Sequence, residues 1–389
     1  MTIEGDRPAP GAARSVRRPS VPPSQRLPGP DVVRAVALVG VVVMNYHGYL
    51  INRGGERRSD GVAGVFDPFA GPLSTRFAAT FVLTAGVGIT LLTRRALADR
   101  AAGAPGAPEA VTAMRWRLVR RGMVLYLLGL YLDVIWPGTI ILYYGWMFAV
   151  AALLFTLASR WLVALGVVVT LAAWALRGWA VARTRDGGDV GWLLSPGAGS
   201  IRRYLVDVWL VGTHPLLPWL GFLCAGIVLG RHLATPDWRL RSIALGATLL
   251  GAASLVGALV AGDGADEVTG ALASTDPADR GLPYVASALG SALVAFAVVS
   301  WLADRATGTA ARLVDPFRRA GQMTLTLYVA HVLVFLLLVD SLGWIEPAGL
   351  GTSLGFALAF WVVLIVAGAA WHRRFGRGPA ERIYRALGD

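Results

Sequence analysis

The chain predicts an all-α, polytopic membrane bundle of about ten transmembrane helices with both termini in the cytoplasm. Three observations carry that expectation. Hydrophobic residues make up 55% of the 389 and charged ones only 15%, with a mean hydropathy of +0.58, too apolar for a soluble chain. The apolar residues form continuous blocks near the ~20-residue length that a helix needs to cross ~30 Å of hydrocarbon. The arginines fall unevenly around those blocks.

Residues 1–30 are rich in Pro and Arg and lack an apolar run, so they read as a disordered basic tail with no cleaved signal. The transmembrane domain then covers 31–372, with spans at 31–51, 75–93, 121–136, 138–158, 161–181, 215–234, 242–262, 283–303, 320–340 and 350–371. A second basic tail covers 373–389. Short connections such as Pro137-Gly138 make neighbouring spans antiparallel. Glycine occurs 47 times, and pairs four apart such as Gly226 and Gly230 suit close helix contact in lipid. In the long segment 182–214, Ile201, Tyr204, Leu205, Val208 and Trp209 recur at helical spacing. An amphipathic helix over about 198–211 follows, either resting on the bilayer or acting as a lid over a site.

The net charge of +12 is carried without lysine: all 36 basic residues are arginine. Placing the N-terminus inside puts 25 arginines on inner segments and 10 on outer ones, with Arg34 inside the first span. That asymmetry is what membrane topology requires of cytoplasmic loops, so the basicity needs no nucleic-acid partner. Cys224 is the lone cysteine, which excludes an intramolecular disulfide and a cysteine-based metal site; no metal is expected.

No phosphate-binding glycine loop, nucleophile elbow or zinc motif is present. Chemistry must therefore use polar groups inside the apolar blocks, where they are expensive and need a reason. The first span holds Arg34, Asn45, Tyr46 and His47, and Asn45 and Asn52 are the only asparagines. At ~100° per residue Arg34 and Asn45 share a face about 16 Å apart, while His47 is rotated by roughly 200° from Asn45. Arg34 is either a snorkelling partner of Asp31 or a clamp for phosphates. His47 is either an interfacial hydrogen-bonding residue or a catalyst. In the ninth span Gly321, Thr324, Tyr328 and His331 follow at steps of three, four and three, one helical face. His331 there is a structural histidine or a general base. His214 and Trp219 open the sixth span beside Pro215 and Pro218, with packing and substrate contact both open.

The segments DVVRAVALVGVVVMNY, FVLTAGVGITLL at 81–92, HPLLPWLGFLCAGIVLGR at 214–231 and GQMTLTLYVAH at 321–331 resemble, in that order, spans of the membrane acyltransferase superfamily. The resemblance is to the heparan-α-glucosaminide N-acetyltransferase-like family and the YeiB-like bacterial membrane proteins. It implies transfer of an acyl group, usually acetyl, from cytoplasmic acyl-CoA to a sugar hydroxyl or amine across the membrane. One departure stands out: the animal acetyltransferase uses a histidine in the outer loop after the first span, and residues 50–74 here contain none.

The expected function is a multi-pass inner-membrane acyltransferase with acyl-CoA as co-substrate, no resident cofactor and a glycan or glycolipid acceptor. A transporter of a small or lipid-linked solute and a noncatalytic membrane component are the alternatives. Arg34, Arg120 and Arg121 are the candidates for the CoA phosphates, and His331, His47 or His214 for the base. Asn45 would donate to the thioester oxygen, and Thr324, Tyr328 and Trp219 would contact substrate. Acceptor identity and a homo-oligomeric state are left open by the sequence.

Overall fold

The computed structural model describes residues 28–197, 199–260 and 265–389, and among these it contains helices and no strand. Most of the expected N-terminal tail lies outside the described residues. α1 (Gly29–Ile51) carries Pro30 and Asp31 in its first turn, which suits the missing proline N–H and the helix dipole. α2 (Gly61–Val65) is one turn in the following loop, and α3 (Arg76–Ala101) and α4 (Ala107–Ile135) come next. α5 (Ile140–Leu154) is capped by the Thr139 hydroxyl, which accepts from the Ile141 amide at 3.4 Å. At the same turn Asp133 accepts from Gly138 N at 2.8 Å.

α6 (Ser159–Arg185) and the short α7 (Gly191–Leu194) lead to α8 (Ile201–Val206), which continues as a π-helical turn over Asp207–Val211. The expected amphipathic segment of about 198–211 is helical from Ile201 to Val211 and changes pitch midway. Arg280 fixes its end by donating to the carbonyls of Leu210, Val211 and Gly212 at 2.8–2.9 Å. α9 (Leu216–His232), α10 (Trp238–Val260), α11 (Glu267–Ala273) and α12 (Leu282–Arg305) follow. The chain closes with α13 (Gly308–Gly321), α14 (Thr324–Phe335, continued to Ser341 as π-helix), α15 (Leu350–Phe375) and α16 (Pro379–Gly388).

Each of the ten expected blocks is helical over most of its described residues. Seven helices are long and apolar enough to span a membrane, eight if α8 and α9, bent by 49° at their junction, count as one span. The remaining two expected spans are α4, whose apolar stretch carries Arg120, Arg121 and Asp133, and α5, which has 15 residues.

α1 sits at the centre, packed by α3, α12, α13, α14 and α15. Two thirds of its apolar stretch is buried, against about a tenth for α10, which faces outward. Close approach depends on glycine: a Cβ on Gly226 of α9 would stand 2.1 Å from the Leu83 carbonyl oxygen of α3, and one on Gly86 2.4 Å from that of Leu223. Where α1 meets α13 a Cβ on Gly321 would lie 1.8 Å from the Asp31 carbonyl oxygen. α16 lies across one end of the bundle, with Glu381 accepting from the Leu325 and Thr326 amides at 2.7 and 3.2 Å. Those are orphan first-turn donors of α14, so a carboxylate from one helix caps another.

Candidate functional site

Three polar groupings stand around α1. On its inward face Asn45 Nδ2 lies 3.1 Å from His331 Nε2. The Nδ1 atom of His331 faces the Tyr328 carbonyl oxygen, which can only accept. Nδ1 therefore carries the proton and Nε2 accepts from the Asn45 amide. Tyr46 donates its hydroxyl proton to the His331 carbonyl oxygen at 3.1 Å, and Tyr328 OH pairs with Thr139 Oγ1 at 3.1 Å. Trp136 closes over the ring edge-on at 5.6 Å. His331 is fully buried, and both its nitrogens are engaged. The arrangement fastens α1 to α14; in this state the imidazole has no free lone pair for a substrate proton.

The second grouping lies on the opposite face, where the angular reading puts His47. Its Nδ1 is 3.0 Å from Ser353 Oγ on α15, 306 residues away in the chain. His47 is 1% exposed, yet its Nε2 has no hydrogen-bond partner. The residue borders a cavity of about 260 Å³ lined also by Glu56, Arg58, Ala63, Gly349, Leu350 and Gly351. That is room for roughly nine water molecules at ~30 Å³ each, the scale of one sugar ring. One wall is the loop after α1, braced by buried Asp67, which accepts from the Phe69 and Ala70 amides and from Arg57 Nε at 2.8–3.2 Å. Burial pushes the Asp67 carboxyl up, but Arg57 and the two amides outweigh it and hold it below the ordinary range. The other wall is the start of α15, whose first-turn amides have no intrahelical partner.

The third grouping is at the far end of α1. Arg34 Nη1 donates to the Gly321 carbonyl oxygen at 3.3 Å and lies 3.9 Å from Asp31, whose other oxygen accepts from Gln322 Nε2 at 2.9 Å. Gly88 of α3 leaves room for the guanidinium: a Cβ there would touch Arg34 Nη2 at 3.3 Å. Tyr384 of α16 lies beneath Arg121, whose guanidinium is 5.4 Å from its ring centroid; burial pushes its phenol up to about 12, with the charges of Arg121 and Arg34 among those pulling down. Arg120 and Arg121 both bond Asp389.

The structure therefore joins Asn45 to His331 and Tyr328, and Arg34 to the neighbourhood of Arg121. It separates His47 from both. The expected stripe from Gly321 to His331 holds only from Thr324 onward, because the chain breaks at Gln322 and Met323 between α13 and α14. Thr326, not Thr324, bonds Glu381. His214 is packed edge-on against Trp219 at 4.6 Å and Tyr143 at 5.7 Å, a cluster apart from His331, and Trp219 is buried. Ser353, Glu56 and Arg58 escaped the sequence reading. Ser353 had a signal, a hydroxyl within the apolar run of α15; the other two look like ordinary loop charges.

A family model described as heparan-alpha-glucosaminide N-acetyltransferase, catalytic, matches residues 26–258. A second, described as a protein of unknown function (DUF418), matches residues 230–388. No curated protein matches the chain.

Proposed function

The chain belongs to the heparan-alpha-glucosaminide N-acetyltransferase catalytic family of membrane acetyltransferases, and from that membership we propose that it moves an acyl group, acetyl foremost, from acyl-CoA to a sugar or glycolipid acceptor. The donor enters at the arginine-rich end and the acceptor at the opposite end, in the cell inner membrane with the arginine-rich end cytoplasmic. The observation that carries the reading is His47 Nε2, buried and unpartnered beside a polar cavity.

In this scheme Ser353 holds the Nδ1 side of His47, and Nε2 takes the proton of the acceptor hydroxyl or amine. The acceptor atom bonds to the acyl carbon, the carbon–sulfur bond breaks, and CoA leaves as the thiolate. The first-turn amides of α15 face the charge that develops on the acyl oxygen. Asn45 and His331 are the joint that holds α1 against α14 and thereby aims His47. Arg34 and the α4 arginines attract the donor phosphates. Thirteen residues separate Arg34 from His47, about 20 Å at 1.5 Å per residue, which the extended pantetheine arm has to bridge.

Radiolabelled acetyl-CoA given to membranes that contain the protein should label a lipid or glycan fraction, and His47→Gln should abolish that labelling. Retained labelling in His47→Gln with loss in a folded His331→Gln would move the base to α14. Absence of labelling above membranes without the protein would reject acyl transfer from this donor.

A further inference from the structure

α4 presents Arg117, Arg120 and Arg121 at spacings of three and four, one helical face. All three converge on Asp389, the residue that caps the end of α16. Arg117 holds the Asp389 carboxylate through two bonds of 2.9 and 2.6 Å. Arg121 reaches the same carboxylate at 2.7 Å through Nε and 2.5 Å through Nη2. Arg120 donates to the Asp389 backbone oxygen at 2.9 Å. Arg385, one turn back on α16, feels the charges of Arg121 and Arg117 as well as that of Asp389. Two guanidinium groups thus fork the Asp389 side-chain carboxylate, a third holds its backbone oxygen, and Arg385 is the residue whose carbonyl oxygen accepts from the Asp389 amide.

Such a cluster holds more guanidinium groups than carboxylate groups. Guanidinium forks bind carboxylate and phosphate oxygens with the same geometry, so one carboxylate in their midst occupies the place of a phosphate. We propose that Arg117, Arg120, Arg121 and Arg385 form a polyphosphate site, and that Asp389 is its built-in competitor. A ligand with phosphates in series displaces the carboxylate and loosens the end of α16. Under the reading above that ligand is acyl-CoA, and the inference rests on that reading only for the ligand's identity. The other end of α16 is fastened to α14, where Ala380 N donates to Thr326 Oγ1 at 3.1 Å and Glu381 caps the helix. Release of α16 by the ligand therefore reaches the helix that carries His331.

The test measures equilibrium binding of inorganic pyrophosphate and of acetyl-CoA to the full-length protein in lipid nanodiscs. Asp389→Asn keeps the shape and the backbone contact and removes the charge, and it should tighten pyrophosphate binding by roughly fivefold. Arg385→Gln, an exposed change that leaves the Asp389 bonds intact, should weaken it by a similar factor. If both ligands tighten in Asp389→Asn, the inference and the acyl-CoA reading stand together. If pyrophosphate alone tightens, the competitor is real and the donor reading fails. If neither ligand gains in Asp389→Asn, or Arg385→Gln binds pyrophosphate like the parent, the cluster only anchors α16 and the inference is overturned.

Discussion

The contrast between His331 and His47 comes down to lone pairs. His331 spends one nitrogen on a carbonyl and the other on an amide; His47 spends one on Ser353 and keeps the other. His331→Ala should therefore act on stability. It strands the Asn45 amide and opens a void, at a cost of about 2 kcal/mol, read as a lower midpoint in thermal unfolding. His47 is as buried and is bonded to Ser353, so the near-isosteric His47→Gln is the informative change there: it should lower acyl transfer by roughly 10²- to 10⁴-fold with a smaller shift of the midpoint than His331→Ala. The stripe that joins Arg34 to Asn45 was legible from helical spacing alone, and so was the turn of His47 away from it. What His47 meets was not legible. Ser353 lies 306 residues downstream, and no periodicity within one helix carries information about the register of another.

Helices explain the close contacts and the docking of α16. Gly226→Val should drive α9 from α3, because its Cβ position already lies 2.1 Å from a backbone oxygen that cannot move without its helix. Overpacking of that kind costs about 3 kcal/mol or more, and detergent-solubilised protein should aggregate or lose its unfolding transition. The glycine spacing predicted the contact, but not the partner helix. Asp389 gives α16 a pH signature. Burial raises its carboxyl, the hydrogen bonds from Arg117 and Arg121 lower it further, and the balance is about 2 against an ordinary 3.8. A carboxyl depressed on folding contributes stability that is full above the ordinary value and is lost as pH falls through the folded one. The protection of amides in residues 379–388 against hydrogen exchange, taken relative to the intrinsic rate at each pH, should therefore hold above pH ~4 and fall as the pH approaches 2.

At the scale of the whole molecule, arginine placement argues the orientation. In a chain freed of cysteine by Cys224→Ala, a cysteine at Arg374 should react with a membrane-impermeant maleimide only from the cytoplasmic side, and one at Glu346 only from the other side. Labelling of both from one side would overturn the topology. Apolar block length, glycine frequency and arginine bias determined by themselves that this chain is a helical membrane bundle and where its helices run, because lipid imposes those constraints on each segment separately. The resemblance carried by the polar residues inside the blocks agrees with the family that the comparison identifies. Tertiary structure alone decided that His331 is tied off, that His47 faces a cavity, and that Asp389 sits among the α4 arginines. Each of those outcomes depends on the distance and register between segments far apart in sequence, set by helix packing rather than by the composition of any one segment.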